Sequence, residues 1–323
     1  MYRVVIDVMG SDAGPATMVK GAALALDKYE ELSLLLVGDE GAIRSAADEC
    51  GMDMSRVEIL HADEVVTNYD SPAAALFTKP RSSLVLALSA LADRDDLVGM
   101  INAGSTGALI AGAMRYLPLE TRVRPALAAT LPAERGGFVC IVDTGATVDC
   151  NAETLLHFAR LGTEFMRDMY GNPSPKVGLL SNGKEETKGC KAVKEAHALL
   201  ASAEDINFVG NMEGTNALSG ECEVLVCDGF AGNQVLKVTE GTARRIITDI
   251  VKIAKKEGKA EYMELVGRLM AMYDFNSLGG GIILGVRKPV IKAHGASNEQ
   301  SIMNIAGMIL NLAVKKEAYA GRT

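Results

Sequence analysis

The chain has 323 residues, 48% of them hydrophobic, with a formal net charge of −8, 5% aromatic residues and no tryptophan. Nucleic-acid-binding surfaces are normally basic and stack bases on aromatic side chains, so this composition argues against a nucleic-acid partner. The length suffices for a sizeable core, in one large α/β domain or in two lobes. We expect a single catalytic domain over residues 1–323.

Apolar runs alternate with helical patterns, which predicts an α/β protein with a mostly parallel sheet. Strands are expected at 3–7, 32–37, 57–61, 97–102, 127–131, 138–143, 176–181, 206–209, 224–228 and 290–292. Helices are expected at 39–50, 71–93, 105–116, 152–170, 185–202, 233–256, 259–273 and 298–317. Only the Pro- and Gly-containing stretch 170–175 is compatible with a domain boundary. This stretch is equally typical of a surface loop.

Residues of about 233–273 predict a helical hairpin, because two amphipathic segments flank a charged turn at 255–259. We favour a hairpin that packs on the body of the protein or on a second subunit. The alternative is a surface that touches a membrane or captures acyl chains, which methionine-rich apolar surfaces suit.

The cysteine pattern favours a reducing compartment. The six cysteines form no CxxC pair and two of them lie within apolar strand runs, so we read them as small buried hydrophobes. The sequence contains no cluster of Cys and His residues at the spacing of metal ligands, so no metal site is predicted. The chain enters a strand at once and has no apolar run of 18 residues, so we expect neither a signal peptide nor a membrane-spanning helix. We expect a cytoplasmic protein, peripheral to the membrane at most.

Five apolar runs end in short, polar, glycine-rich turns that open a helical stretch. They read GMINAGSTGA (99–108), CIVDTGATVDC (140–150), GLLSNGKEETKG (178–189), VLVCDGFAGN (224–233) and VIKAHGASNE (290–299). Such turns lie at the carboxyl edge of a parallel sheet, where ligands bind and where helix N-termini favour anions. The glycines alone would only make the turns tight. The polar residues that favour a site are Asn102, Asp143, Asn182, Lys184, Asp228, Asn233, Lys292 and His294.

Individual residues in these turns leave alternatives open. Asp7 and Asp12 flank the end of the first strand, where they could bind a metal or serve as a turn residue and a helix cap. Lys292 and His294 face one side of the last strand by its alternation, which suits phosphate binding or oxyanion stabilisation. The chain has no GxGxxG after its first strand, no GxxxxGK[ST] and no GxSxG, so dinucleotide, Walker-type and hydrolase sites lack support.

The segments DVMGSDAGP, INAGSTGALIAGA, RPALAATLP, VDTGATVDC, GLLSNGKEETKG, INFVGNMEG, VCDGFAGNQVLK and VIKAHGAS resemble, in this order, the bacterial acyl-[acyl-carrier-protein]:phosphate acyltransferases of phospholipid synthesis. The resemblance runs from Val4 to about Leu312. It implies an α/β/α sandwich similar to phosphotransacetylase and the isocitrate dehydrogenase-like fold, and a homodimer. It also implies acyl transfer from acyl-carrier protein to inorganic phosphate. The chain departs from the family's usual sequence at residues 10–12, 182–186 and 278–285.

Phosphate is itself the nucleophile in such a reaction, so no Ser or Cys nucleophile and no cofactor is required. We expect Lys292 and His294 to supply positive charge, and Asp228 and Asn233 to act with them at the reaction centre. The expected phosphate cradle comprises Asn102, Gly104, Ser105, Thr106, Gly107, Gly229 and Gly232, with phosphate near the turns at 102–107, 228–233 and 292–295. Supporting roles are expected for Asp7, Asp12, Asp143, Asn182 and Lys184.

Two other functions stay open at this point. One is a phosphotransacetylase-like enzyme that acts on acyl-CoA, and the other is a non-catalytic protein that binds acyl carrier or membrane. An acidic carrier would need a local basic patch on this acidic chain. The best cluster comprises Arg244, Arg245, Lys252, Lys255, Lys256 and Lys259. Charge runs of this kind are also typical of a solvated helix face.

Overall fold

The computed structural model describes residues 1–119, 124–258, 260–272 and 280–320. The strands are β1 (Tyr2–Asp7), β2 (Leu32–Gly38), β3 (Val57–His61), β4 (Leu97–Asn102), β5 (Ala126–Pro132), β6 (Phe138–Val142), β7 (Lys176–Leu180), β8 (Asn207–Met212), β9 (Val224–Val226), β10 (Gly281–Leu284) and β11 (Val290–Lys292). The α-helices are α1 (Gly14–Lys28), α2 (Glu40–Cys50), α3 (Pro72–Thr78), α4 (Ser83–Asp93), α5 (Thr106–Tyr116), α6 (Ala152–Tyr170), α7 (Lys191–Ser202), α8 (Gly229–Glu257), α9 (Ala260–Met272) and α10 (Glu299–Ala320).

The chain forms two compact units. Unit 1 comprises Met1–Ala128, Glu164–Pro173 and Asn276–Thr323, and unit 2 comprises Ala129–Thr163 and Ser174–Phe275. One of the crossings between them falls after Pro173, within the stretch where the sequence permits a boundary. A single catalytic domain over the whole chain stays a prediction.

Unit 1 is built on the strand order β3-β2-β1-β4-β11-β10. All neighbours in this order are parallel except β10 and β11, which are antiparallel. Every residue of β2 is buried, as expected for a parallel strand that is covered on both faces. Helices α1, α2 and α10 pack together on these strands, and α3, α4 and α5 form a second group, which gives three layers. The predicted α/β class is confirmed.

Unit 2 is built on the parallel strand order β6-β9-β7-β8. Its core joins β6 and β9 to the first turns of α8, where Ala231, Val235 and Leu236 pack against buried residues such as Ile141 and Leu225. Helices α8 and α9 pack on each other as the predicted hairpin. The hairpin begins earlier than expected, at Gly229. Two residues of the predicted range, Lys259 and Tyr273, lie outside the described residues.

Besides α8, several elements differ from the sequence-based expectation, among them α1, which was not among the expected helices. The single helix expected at 71–93 is two helices, because Pro80 disfavours helical backbone at the residue before it. Helix α7 begins at Lys191, after a turn in which Gly189 has φ +97°. Strand β10 was not expected, because glycines lead into it; Gly280 has φ +70°, and a Cβ there would collide with the carbonyl oxygen of Lys292.

Within the described ranges, no helix is both long and apolar enough to cross a membrane.

Candidate active site

Three predicted site residues end adjacent strands of unit 1. In the parallel register Asp7 of β1 lies opposite Asn102 of β4, and Asn102 lies opposite Lys292 of β11. The amide of Ala293 donates to the carbonyl of Asn102 at 2.8 Å, which extends this pairing by one residue. The loops after these strands therefore emerge side by side at one sheet edge, the position where parallel sheets bind ligands.

Asp7 and Asn102 form a buried polar pair beneath these loops; they are 2% and 1% exposed. The Asn102 amide donates to Asp7 Oδ2 at 2.8 Å, and the backbone N–H of Met9 donates to Asp7 Oδ1 at 3.0 Å. The Asn102 carbonyl oxygen in turn accepts the N–H of Gly104 at 3.0 Å. One side-chain pair thus fixes the start of two loops.

Burial raises the pKa of Asp7 to about 6, against the hydrogen bonds from Ser83, Met9 and Asn102, which lower it. Ser83 is a partner that the sequence analysis missed; it is 1% exposed and lies in the first turn of α4. In the sequence, Ser83 is only one of two serines before an apolar run. The preference of serine for helix N-caps already explains such a pair.

The loop after β1 contacts the loops after β4 and β11. A Cβ on Gly10, which has φ +76°, would lie 3.3 Å from the Cα of Gly104. On the other side, the N–H of Asp12 and the hydroxyl of Ser11 both donate to the carbonyl of Gly295, at 3.1 and 3.2 Å. A Cβ at position 295 would meet the Asp12 carboxylate, so a side chain there would require this exposed carboxylate to move.

The N-terminus of α5 lies at this edge. Ser105 holds the N-cap position and makes no side-chain capping bond, and α5 begins at Thr106. The first N–H groups of a helix have no intrahelical acceptor, and with the helix dipole they favour an anion. Gly104 is buried and Gly107 exposed, so this turn runs from the core to the surface. The predicted cradle residues of unit 1 therefore lie at the end of β4 and the start of α5, and their binding of phosphate stays a prediction.

Lys292 is half-buried at the end of β11, and its ammonium donates to the carbonyl of Ala293. His294 lies beyond the strand end and is exposed, and its Nδ1 accepts the N–H of Ala296 at 3.1 Å. Because β11 ends at Lys292, strand alternation does not orient His294; the loop geometry does. The roles assigned to both residues stay predictions.

In unit 2, Asp143 organises the loop after β6. Its buried carboxylate accepts the N–H groups of Gly145 and Ala146 at 3.0 Å each and of Thr147 at 2.6 Å. The carbonyl of Thr147 then accepts the N–H of Gly229, the first residue of α8, at 2.8 Å. Asp143 therefore supports the start of α8 through this loop, and its supporting role in the reaction stays a prediction.

Asp228 caps α8. Its Oδ1 accepts the N–H of Ala231 at 2.7 Å, as expected of an N-cap aspartate. A Cβ on Gly232 would collide with the carbonyl oxygen of Asp143, so glycine is required where α8 meets the Asp143 loop. Asn233 lies one residue further along α8 and is half-buried. The geometry gives Asp228 a capping role, and its catalytic role stays a prediction.

The loop after β7 contains the remaining candidates of unit 2. The Asn182 side chain accepts the N–H of Gly189 at 2.8 Å and closes the loop. Lys184 is exposed, with its ammonium 3.9 Å from Glu221 Oε2. The sequence analysis missed Asn211, whose amide donates to the carbonyl of Glu185 at 2.9 Å and whose side-chain oxygen lies 3.0 Å from His197 Nδ1.

The candidates therefore divide between the units. Unit 1 holds Asp7, Asp12, Asn102, Gly104, Ser105, Thr106, Gly107, Lys292 and His294, and unit 2 holds Asp143, Asn182, Lys184, Asp228, Gly229, Gly232 and Asn233. Across the described residues, no group of three or more His, Cys, Asp or Glu side chains could hold a metal ion.

The fold is that of phosphotransacetylases. A phosphotransacetylase from Streptococcus pyogenes matches with a TM-score of 0.64 at 16% identity, covering 98% of this chain and 94% of its own. A branched-chain phosphotransacylase from Enterococcus faecalis matches with a TM-score of 0.61 at 14% identity, covering 97% of this chain and 99% of its own. At such identities these likenesses show the fold alone.

The family follows from sequence similarity over nearly the full length. The family model described as "Fatty acid synthesis protein" matches residues 2–313. A phosphate acyltransferase of Halothermothrix orenii is 39% identical over 310 residues, covering 94% of this chain and 92% of the relative. A phosphate acyltransferase of Caldanaerobacter subterraneus subsp. tengcongensis is 37% identical over 317 residues, covering 96% and 93%. The chain belongs to this fatty acid synthesis family, as the resemblance of its sequence motifs indicated.

Proposed function

We propose that this protein is an enzyme that transfers a fatty acyl group from acyl-carrier protein to inorganic phosphate, giving acyl phosphate for phospholipid synthesis. The name of its relatives, phosphate acyltransferase, supports acyl transfer to phosphate. The carrier protein as donor rests on the sequence resemblance. The observation that carries the proposal is the alignment of Asp7, Asn102 and Lys292 at adjacent strand ends, beside the N-terminus of α5.

In the proposed reaction a phosphate oxygen attacks the thioester carbonyl carbon, the C–S bond breaks, and the carrier leaves as a thiolate that takes a proton from solvent. The amides at the start of α5 and the Lys292 ammonium hold the phosphate. Such donors also stabilise the oxyanion that develops on the carbonyl oxygen. Because thiolate is a good leaving group, the mechanism needs little general-acid help.

The cysteines agree with a mechanism that has no enzyme nucleophile. Burial raises the pKa of the Cys150 and Cys222 thiols to about 12, and it also raises the pKa of Cys140 and Cys227. Thiols with such pKa values are protonated near neutral pH and are poor nucleophiles. An acyl-enzyme intermediate on one of these four side chains is therefore disfavoured, whereas direct attack by phosphate needs none.

Donor choice distinguishes this proposal from its two alternatives. The purified protein is incubated with phosphate and either palmitoyl-carrier protein or palmitoyl-CoA, and acyl phosphate and free thiol are both measured. We expect product from the carrier thioester. Product from the CoA thioester alone would identify a phosphotransacetylase-like enzyme. Carrier binding without product from either donor would identify a non-catalytic binding protein.

The proposal includes a homodimer, a cytoplasmic location and peripheral contact with membranes. Apolar residues exposed on the hairpin, among them Val238, Ile246 and Met270, support a surface that another body covers. The six free cysteines support a reducing compartment. Sedimentation equilibrium tests the dimer, and a single species at the monomer mass would contradict it.

A further inference from the structure

Among the described residues, the carboxyl group of Asp7 has three hydrogen-bond partners, and two of them can only donate. The backbone N–H of Met9 donates to Oδ1 at 3.0 Å, and the side-chain amide of Asn102 donates to Oδ2 at 2.8 Å. The orientation of this amide is fixed, because the Asn102 oxygen accepts the N–H of Gly104 at 3.0 Å. The third partner is the hydroxyl of Ser83, which can donate or accept.

Ser83 is therefore the partner that can serve both protonation states of Asp7. An ionised carboxyl accepts all three hydrogen bonds, whereas a protonated carboxyl has a proton to donate and needs an acceptor. Of the three partners, only the Ser83 hydroxyl offers one. Burial raises the pKa of Asp7 to about 6, so both states occur near neutral pH.

The capping of α4 does not account for the Ser83 side chain. Ser82 holds the N-cap position, and its hydroxyl accepts the N–H of Val85 at 3.4 Å. The backbone N–H of Ser83 donates to the carbonyl of Glu64 at 3.1 Å, which leaves the hydroxyl for another partner. Ser83 is 1% exposed, and a buried hydroxyl destabilises the fold unless it is hydrogen-bonded. The bond to Asp7 satisfies this hydroxyl.

We propose that Ser83 is a positioning residue for the proposed phosphate site of unit 1. Its hydroxyl holds the Asp7 carboxyl, and this carboxyl holds the Asn102 amide. The amide oxygen in turn holds the N–H of Gly104, the residue before the N-cap of α5. Ser83 thus acts on bound phosphate through two other side chains. The inference rests on the proposed function, and all of its residues lie within unit 1.

Other titratable groups share this end of the sheet with Asp7. Strands β2 and β4 carry none, and the only one in α4 is Asp93, at the far end of the helix. Those in the surrounding loops and helix starts include Asp12, Asp39, Glu64, Lys292, His294 and Glu299. Their titration, and that of phosphate itself, is common to the parent and a Ser83 variant, so it cancels when the two are compared at the same pH.

The test compares Ser83→Ala with Ser82→Ala, the same replacement at the neighbouring buried serine. Three quantities are measured from about pH 5 to about pH 9: KM for phosphate, kcat, and the Kd of phosphate by calorimetry. In Ser83→Ala, Asp7 should keep its proton to higher pH, because a donor to the ionised carboxyl is lost. That proton then has no acceptor, and Asn102 loses its fixed partner.

We expect Ser83→Ala to raise KM and Kd for phosphate about ten-fold at neutral pH and below, with kcat changed by less than about three-fold. The defect should shrink towards about pH 9, where Asp7 is ionised and again accepts from Met9 and Asn102. Ser82→Ala should lower the melting temperature, because a helix cap is lost, and should leave KM within about two-fold at every pH.

Two further variants test the route through Asp7. Ser83→Cys keeps the size of the side chain with a weaker donor and acceptor, so it should show the same pH dependence at smaller amplitude. It replaces Ser83→Ala if that variant folds poorly. In Asp7→Asn, which does not titrate, adding Ser83→Ala should give an effect on phosphate binding that does not vary with pH.

An unchanged KM and Kd for phosphate in Ser83→Ala, or a rise that is equal at every pH, would overturn the proposal while leaving acyl transfer intact. An equal rise in Ser82→Ala would also overturn it, because the defect would then belong to α4 as a whole. Phosphate binding without acyl phosphate from the parent would reject the proposed function, and calorimetry would still test Ser83. A parent that binds no phosphate would overturn both.

Discussion

Asp7 is the residue whose protonation connects the candidate site to stability. Its carboxyl is buried, and its pKa is raised from 3.8 to about 6. The native state therefore binds this proton more tightly than the unfolded state does. The stabilisation from the protonated carboxyl is complete below pH 3.8 and is lost as pH rises through about 6, a total of about 3 kcal/mol.

Asp7→Asn should remove this pH dependence, because asparagine does not titrate. The free energy of unfolding of the parent, minus that of the variant, should fall by about 3 kcal/mol between pH 4 and pH 8. Urea unfolding at a series of pH values measures it, with Asp27→Asn on the exposed face of α1 as the control. Parallel profiles for the parent and Asp7→Asn would contradict the raised pKa.

Lys292→Ala tests the positive charge at the end of β11. We expect kcat to fall, or KM for phosphate to rise, by about ten-fold to a thousand-fold, as when an oxyanion donor is lost. The melting temperature should change little, since the side chain is half-buried at a strand end.

Lys288→Ala is the control with the opposite expectation. Its ammonium donates to the carbonyls of Leu91 and Arg94 at 2.8 and 2.7 Å, so the variant should lose stability and keep its KM for phosphate. Parent-like phosphate kinetics in Lys292→Ala would remove this lysine from the site.

At the scale of elements, the start of α8 depends on a glycine. Gly232→Ala would bring a Cβ into the carbonyl oxygen of Asp143, and the Asp143 loop or the helix would have to shift. We expect a loss of about 1–3 kcal/mol in the free energy of unfolding and reduced turnover. Gly241→Ala in the same helix meets no atom within 4 Å and should gain up to about 1 kcal/mol from helix propensity. Equal effects of the two replacements in urea unfolding would contradict this packing.

The basic side chains of α8 give the second prediction at this scale. Arg245 and Lys252 are already close to Asp249, at 2.7 and 3.7 Å, and Lys259 lies outside the described residues. Arg244→Glu with Lys255→Glu should therefore test carrier docking best. We expect lower kcat/KM for the acyl carrier, an unchanged KM for phosphate and a defect that shrinks at high salt.

Reversal of Lys28 and Lys194, which are exposed on α1 and α7, changes the net charge equally and is the matched control. Equal activity of the α8 variant and the parent at low salt would move the docking surface elsewhere, with Lys79 and Arg81 the next region to test.

Element types were largely predictable from sequence because buried parallel strands read as continuous apolar runs, as in β2. The exceptions have local causes. Pro80 divides a helical pattern whose apolar period continues across it, and the glycines before β10 hide a short antiparallel strand. The alignment of Asp7, Asn102 and Lys292 follows from strand order, which no local pattern contains. Ser83 reaches Asp7 from a distant helix, so its role was equally inaccessible from local sequence.

At the scale of the whole molecule, two different comparisons agree. The fold is shared with proteins called phosphotransacetylases, and the family contains relatives called phosphate acyltransferases. The likeness in structure shows the fold alone, and the sequence similarity shows the family. The helix N-terminus of α5 and Lys292 at the end of β11 would suit the phosphate nucleophile of the proposed reaction, which requires no Ser or Cys nucleophile.

The most direct test of the account is to follow the oxygen atoms of phosphate. The protein is incubated with palmitoyl-carrier protein and phosphate labelled with ¹⁸O at all its oxygens, and the product is analysed by mass spectrometry. We predict palmitoyl phosphate that retains every labelled oxygen, formed together with free carrier thiol and only when phosphate is present. Release of unlabelled palmitate at a rate independent of phosphate would show that water is the nucleophile, and it would contradict the account.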